Sequence, residues 1–314
     1  MSGITAGASL LHPVERVTVV EIVPEVIDAV REHFAEASLG IVNSPRVEIV
    51  AEDARNFLSG SARQLDVIVG DLFVPWRRGE AALYTADHFT AARRALAPGG
   101  IFCQWLPLFQ LAEEEFNIVT ATFLDVFPHA TLWRGDFAPD APSVALIGQL
   151  DGATIDPAFV ERRVRELKAD AANPSLVHPA GFWIFLVGPL DPREERFARA
   201  RRNQENEPWL EILGPLNHAS SSLGDVPLFV GRRLESFFDG VRTRPLADTP
   251  MARLGAIRLQ WRQAGARLGA VSILTAKGNH REAEALMRET VLALPTEIRA
   301  AFDPTAPPRP GGER

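Results

Sequence analysis

Three short runs of β-branched residues occupy the first 71 positions, and each run stops at or just before a carboxylate. The runs and the acids that follow them are Val17–Val20 with Glu21, Val47–Val50 with Asp53, and Val67–Val69 with Asp71. A helical pattern separates each run from the next, which is typical of a parallel α/β sheet. Because ligands bind outside the carboxyl ends of such strands, the pattern predicts a site that contains the three acids.

The alternation of strand and helix patterns continues to about residue 150. The remaining strands predicted there are Ile101–Trp105, Ala130–Arg134 and Ser143–Gly148, the last two as an antiparallel pair. The predicted helices are Pro24–Glu36, a short one ending at Leu58, Thr85–Ala95 and Ala112–Phe127. We therefore expect an α/β fold in residues 1–150, with a doubly wound, Rossmann-like sheet of the class I methyltransferase type.

Beyond residue 150 the pattern weakens and predicts a mostly helical region, residues 151–302. Helices are predicted at Asp156–Ala169, Arg193–Arg202, Leu228–Asp239, Met251–Ala276 and Arg281–Leu294. Residues 173–192 fit a helix or an extended segment, and 203–226 read as irregular. The last two helices resemble one tetratricopeptide unit, which must pack on the main domain because a single unit cannot stack on copies of itself. The Pro/Gly-rich residues 303–314 are predicted to be a disordered tail.

Composition narrows the class of protein. The chain is 46% hydrophobic and 23% charged, and its net charge of −7 argues against nucleic acid as a partner. The single cysteine, Cys103, excludes an internal disulfide framework and lies in an apolar run that predicts a buried thiol. The seven histidines have no metal-ligand spacing, so we expect no metal. With no apolar run near 20 residues and no signal peptide, we expect a soluble, cytoplasmic protein that does not contact membranes.

The first half of the predicted site suits a nucleoside. The stretch from Gly3 reads as a glycine-bearing loop entering a short helix, which a ligand could approach closely. Glu21 lies 18 residues later, at the end of a strand, where a carboxylate can accept from ribose hydroxyls or can be merely solvated. Asp53, followed by the small Ala54, either accepts from an adenine amino group or caps the next helix.

The second half of the predicted site suits an acid–base step. Asp71 follows an apolar strand, and partial desolvation would make its carboxylate a credible base, the alternative being a cap or loop hydrogen bond. Tyr84 either reaches a ligand through its hydroxyl or packs in the core. Gln104, at the end of the fifth strand, either binds a ligand or is an ordinary strand-end polar residue.

A family resemblance emerges from these pieces taken in order. They are Gly3-Ile4-Thr5-Ala6-Gly7, Val17-Thr18-Val19-Val20-Glu21, Asp53-Ala54-Arg55, Asp66-Val67-Ile68-Val69-Gly70-Asp71, Leu83-Tyr84-Thr85, and Leu96-Ala97-Pro98-Gly99-Gly100 with Gln104. Together they resemble the spermidine synthase family, the polyamine aminopropyltransferases, over roughly residues 1–150. Each piece alone also occurs in class I methyltransferases.

The resemblance implies an S-adenosyl-type nucleoside as substrate, decarboxylated S-adenosylmethionine or S-adenosylmethionine itself, with a polyamine as second substrate, no metal, and a homodimer. It implies that the nucleoside-binding residues are Gly3, Thr5, Glu21, Ile22, Asp53 and Ala54. It implies that Asp71 is catalytic and that Tyr84 and Gln104 contact the substrate. In that family the aspartate helps deprotonate an amine, which attacks the propyl carbon beside the sulfonium, and methylthioadenosine leaves.

Three departures from the family pattern leave the function open. Val74 stands where the family has a second acid, three residues after the catalytic aspartate. The family's first strand and N-terminal β-hairpin domain are missing, so the resemblance implies an N-terminally truncated member. The segment after residue 150 matches poorly. We therefore consider three functions: an aminopropyltransferase, an S-adenosylmethionine-dependent methyltransferase that takes a less cationic acceptor, and a non-catalytic binding or interaction protein.

Overall fold

The fold is described from a computed structural model, in residues 3–167, 176, 178–294 and 299. The tail predicted to be disordered, residues 303–314, lies outside the described residues. So do the last two residues of the helix predicted over 156–169 and the start of the segment 173–192.

The first two strands form a parallel ribbon. Strand β1, Val17–Glu21, pairs along its whole length with β2, Val47–Ala51. Helix α1, Ile4–Ala8, precedes β1, and helix α2, Pro24–His33, connects β1 to β2. Residues of both strands are half-buried, apart from the exposed last residue of β2. We call this pair of strands the ribbon.

The other five strands in the described residues form a separate mixed sheet in the order β3-β4-β6-β5-β7. Strand β3 is parallel to β4, and the remaining pairs are antiparallel. The bounds of the five strands are Leu65–Gly70, Leu96–Pro107, Thr131–Arg134, Ser143–Gln149 and Leu186–Pro189 for β3 to β7. Helices α3, Ala54–Gly60, α4, Ala86–Ala95, and α5, Glu113–Val126, connect the strands from β2 to β5.

The predicted α/β, Rossmann-like class is confirmed, because parallel strands are joined through helices at β1–β2 and at β3–β4. The strand predicted at Ile101–Trp105 is longer in the structure: β4 begins at Leu96, directly after α4, and its first residues include Pro98. Thr85 caps helix α4, because its side chain accepts from the His88 amide over 3.2 Å.

The C-terminal half differs from its prediction at three places. Strand β7 lies within residues 173–192, which fit either a helix or an extended segment by sequence. It pairs with β5, and this pairing satisfies its backbone hydrogen-bonding groups. Helix α8, Trp209–Ser222, occupies residues predicted to be irregular, and the long helix predicted from Arg193 is only α7, Glu195–Ala198. The other helices are α6, Pro157–Glu166, α9, Gly231–Arg242, α10, Ala256–Ala276, and α11, His280–Leu292. The α10–α11 pair matches the predicted hairpin.

The sheet and the core both cross the domain boundary predicted at residue 150. One apolar cluster joins Phe102 and Phe123 from the first half to Leu210 and Phe238 from the second. A second cluster contains Trp133, Trp183 and Trp261. No helix in the described part of the chain is long and apolar enough to cross a membrane.

Candidate functional site

The predicted site residues lie at the carboxyl ends of the parallel strands. Glu21 is the last residue of β1, and Asp53 lies two residues after β2. Asp71 directly follows β3, and Gln104 in β4 is the register partner of Gly70, the residue before Asp71. These placements follow from the sequence pattern, since each strand is an apolar run that a polar residue ends.

Gly3 and Glu21 line the same small, mostly apolar hollow between α1, α2 and the ribbon. Gly3 has a φ of 74°, and a Cβ atom there would lie 3.0 Å from Cγ1 of Val30, so the close approach of α1 to α2 favours glycine. The Glu21 carboxylate accepts from the Val23 amide over 3.0 Å. The Thr5 and Ile22 side chains are exposed nearby in sequence.

Asp53 is already engaged in the structure. Its carboxylate caps α3 by accepting from the Arg55 amide over 2.8 Å, and it also accepts from Nη2 of Arg55 over 2.7 Å. These hydrogen bonds hold the pKa of Asp53 below its ordinary value. The capping alternative is thus observed, with Ala54 as the first residue of α3, while contact of either residue with an adenine ring stays a prediction.

Asp71 and Gln104 come together at the end of β3. Nε2 of Gln104 donates to the carbonyl of Trp105 over 3.0 Å and lies 3.4 Å from the carbonyl oxygens of Gly70 and Asp71. The Asp71 Oδ1 atom accepts from the Leu72 amide over 2.9 Å, whereas its Oδ2 atom accepts no hydrogen bond from any described residue. Oε1 of Gln104 is buried without a hydrogen-bond partner in the described chain. The end of β3 and the paired part of β4 therefore each carry one acceptor oxygen that is uncommitted among the described residues.

Tyr84 is fully buried and supports the segment after Asp71. Its hydroxyl donates to the Phe73 carbonyl over 3.1 Å, and the two rings meet edge-on with centroids 6.0 Å apart. Burial raises the pKa of Tyr84 well above its usual value, so the hydroxyl stays protonated. The structure therefore shows the packing alternative for Tyr84, and the predicted contact with substrate stays a prediction.

Other residues that the sequence did not single out also hold this segment, Asp71–Gly79, which we call the Asp71 loop. Glu80 accepts from the Val74 amide and pairs with Arg77. Nε1 of Trp76 donates to Oε1 of Gln110 over 3.1 Å, and helix α8 contacts the loop on another side. The sequence signal that could indicate this segment is Trp76, an aromatic residue that is followed by Arg77 and Arg78.

Buried Asn203 connects the C-terminal half to the same region. Its side chain donates to the carbonyls of Ala81 and Tyr84 over 3.1 and 3.3 Å and accepts from the Leu210 amide over 3.1 Å. The three bonds satisfy most of the amide group's hydrogen-bonding capacity. Asn203 thereby fixes the turn that carries Tyr84 to the start of α8.

Burial shifts the titration of three other groups. It lowers the pKa of His88 to about 4, so this imidazole, close to Asp53 and Arg55, is neutral at pH 7. It raises the pKa of the Cys103 thiol to about 12, with a further contribution from the nearby Asp71 charge. It raises the pKa of Glu115 to about 7. Among the described residues no group of three or more His, Cys, Asp or Glu side chains could hold a metal ion.

The geometry can be compared with known proteins. A polyamine aminopropyltransferase of Aeropyrum pernix is 30% identical over 145 residues, which cover 45% of this chain and 46% of that protein. One of Nitrosomonas europaea is 32% identical over 179 residues, 53% of this chain and 54% of that one. The chain thus spans about half the length of these relatives. The crystal structure of a spermidine synthase from Thermotoga maritima aligns with a TM-score of 0.45 and 24% identity over 51% of this chain and 56% of that one.

The strongest finding concerns the part of the chain that holds the strand-end acids. Residues 7–134 match the family model described as the spermine/spermidine synthase domain. This range contains β1 to β5 and with them Glu21, Asp53, Asp71 and Gln104. Over residues 7–134, this chain is therefore similar to the spermine/spermidine synthase domain.

Proposed function

We propose that the chain binds an S-adenosyl-type nucleoside at the carboxyl edge of its parallel strands and transfers an aminopropyl group from decarboxylated S-adenosylmethionine to an amine. The names of the aminopropyltransferase relatives support this proposal. The observation that carries it is Asp71, which directly follows β3 and has one carboxylate oxygen uncommitted to any described residue. A carboxylate oxygen without a donor can accept a hydrogen bond or a proton from an ammonium group.

The proposed step balances without a further reactant. The Asp71 carboxylate takes a proton from the acceptor's ammonium group, because only the free amine has a lone pair for attack. The amine nitrogen then forms a bond to the propyl carbon beside the sulfonium. The carbon–sulfur bond breaks, and its electron pair neutralises the sulfur as methylthioadenosine leaves.

In this proposal the ribbon holds the nucleoside. Glu21 takes the ribose hydroxyls, with Gly3, Thr5 and Ile22 alongside, while Asp53 and Ala54 take the adenine. The Asp53 carboxylate already accepts hydrogen bonds from Arg55. It would therefore bind the adenine amino group through its remaining lone pairs. A homodimer, a polyamine acceptor and a cytoplasmic location remain proposals of the same kind.

The decisive experiment combines binding and turnover. Calorimetry with methylthioadenosine, decarboxylated S-adenosylmethionine and S-adenosylmethionine measures the nucleoside site. Incubation of the decarboxylated nucleoside with putrescine measures transfer. We expect Asp71→Asn to lower turnover by a factor of about 100 to 10,000, the usual worth of a general base, with nucleoside affinity retained. Asp66→Asn, an exposed acid at the opposite end of the same strand, is the matched control.

A methyltransferase is the second candidate, and Val74 favours it. Val74 itself carries no charge, and its amide donates a hydrogen bond to Glu80, the acid that follows in the chain. The loop therefore offers less negative charge to a diamine substrate that carries two positive charges. In that case S-adenosylmethionine binds more tightly than its decarboxylated form, and Val74→Asp fails to improve transfer to putrescine. If none of the three nucleosides binds, both enzymatic functions are wrong and a non-catalytic role remains.

A further inference from the structure

Helix α8 packs against the Asp71 loop although it lies outside the residues that match the family, 7–134. The contact is made by three α8 residues, Glu211, Gly214 and His218, which recur at intervals of three and four. Residues at this spacing share one face of a helix. The face that α8 turns toward the loop is therefore continuous over two turns.

Each of the three residues contacts a different point of the loop. Oε1 of Glu211 accepts from the Gly79 amide over 2.9 Å. A Cβ atom on Gly214 would lie 2.6 Å from the Pro75 carbonyl oxygen, so only glycine permits the observed approach of helix and loop. The loop backbone therefore rests directly on the helix backbone.

The third contact is a stacked pair of rings. The His218 and Trp76 rings lie with their centroids 4.1 Å apart and their planes 13° apart. The Trp76 indole nitrogen donates to Gln110, just before α5. Trp76 is thus held between α8 and the start of α5, five residues after Asp71.

We propose that α8 is the positioning element of the Asp71 loop, with His218 and Gly214 as its positioning residues. This inference rests on the proposed function for its effect on catalysis. The stack and the glycine contact fix Trp76 and Pro75, and through them the path of the chain that leaves β3 at Asp71. A base displaced by about 1 Å from its reacting proton can cost on the order of 100-fold in rate, so loosening α8 should lower kcat and leave the affinity for the nucleoside unchanged.

Two substitutions at one position separate stacking from bulk structure. His218→Ala removes the ring, whereas His218→Phe keeps a ring that can stack on Trp76. His218 is exposed, so neither change should unfold the chain. Leu216→Ala, on the outer side of the same helix and 58% exposed, is the matched control. We expect kcat to fall about 10-fold to 100-fold in His218→Ala and to stay near wild type in His218→Phe and Leu216→Ala.

A readout independent of turnover keeps this inference separate from the proposed function. Two measurements report on the loop directly. One is the rate of hydrogen exchange at the Gly79 amide, and the other is the fluorescence of Trp76, obtained as the difference between wild type and Trp76→Phe. His218→Ala should speed this exchange and change this fluorescence, and His218→Phe should reverse both effects. If wild type transfers no aminopropyl group but the loop signals respond in this way, the proposed function fails and the positioning role stands. If His218→Ala gives the same loop signals as Leu216→Ala, the positioning role is wrong.

Discussion

The five-stranded sheet and the two-stranded ribbon are built from similar sequence patterns but are packed very differently. In the five-stranded sheet, Phe102 and Leu106 of β4 and Leu146 of β6 are completely buried. In the ribbon no residue of β1 or β2 is fully buried. An apolar β-branched run thus encodes a strand, whereas its burial depends on what covers it.

The boundary between the two regions lies at β3. Two of its side chains, Val67 and Val69, are 55% and 48% exposed, and β3 is the edge strand of its sheet. Arg63, just before β3, bridges the regions by donating to Thr18 in β1 and to Glu48 in β2. The nucleoside-binding residues proposed on the ribbon and the base proposed on the sheet are therefore carried by regions of unequal packing.

The largest expected effect is the loss of an aromatic ring from the centre of the sheet. Phe102 contacts Phe89, Phe123 and Phe127 with ring centroids less than 6 Å apart, so Phe102→Ala should lower the free energy of unfolding by about 3–5 kcal/mol. Val67→Ala removes an exposed side chain and should change it by less than about 0.5 kcal/mol. Urea denaturation measures both. Equal losses in the two variants would contradict the contrast between buried sheet and exposed edge.

The second prediction uses a carboxyl group that is buried in the first turn of α5. Burial raises the pKa of Glu115 from an ordinary 4.5 to about 7, so between these pH values the folded state binds more protons than the unfolded state. The free energy of unfolding should therefore fall as pH rises from about 4.5 to about 7 and then level off. Glu115→Gln removes this dependence and should stabilise the protein above pH 7 by at most about 3 kcal/mol.

The control for this pH effect is Glu114→Gln, since Glu114 is exposed beside Glu115 on α5. That variant should keep the pH dependence of the wild type. Denaturant curves recorded at pH 5 and pH 8 provide the comparison. A Glu115→Gln variant whose stability changes with pH as steeply as that of wild type would show that other groups cause the dependence.

The smallest expected effect concerns the bridge between the two regions. The hydrogen bond from Arg63 is the main cause of the lowered pKa of Glu48. Both side chains are substantially exposed, so we expect this ion pair to hold the ribbon in place locally and to add little to the free energy of unfolding. Arg63→Ala should speed hydrogen exchange in β1 and β2 several-fold while exchange in β4 stays constant. Arg31→Ala, which removes an ion pair within α2, is the control. Uniform acceleration across both regions would contradict a local effect of the bridge on the ribbon.

Much of the first half could be predicted from the sequence because its signals are local. Strands β1, β2 and β3 match their predicted runs, and Glu21, Asp53 and Asp71 follow them as expected. Strand β7 could not be predicted, since four residues acquire strand geometry only by pairing with β5. Helix α8 was missed because Gly214 and Pro215 are unfavourable in helices, and contacts with the loop and the core override that preference.

The supports of the site were harder to predict than its acids. An acid at a strand end is visible within a few residues, whereas Gln110 supports Trp76 across 34 residues and Glu211 supports Gly79 across 132. No local pattern records such a contact. The sequence therefore indicated which groups are available for chemistry but not what holds them in place.

The Gly79–Glu211 contact also sets an order of events during synthesis. A growing chain can pair β1 with β2 and β3 with β4 once Pro107 has been added, but the Asp71 loop cannot contact α8 until His218 has been added. Contacts so distant along the chain form late and slowly. The candidate base is thus translated before the helix that completes its surroundings.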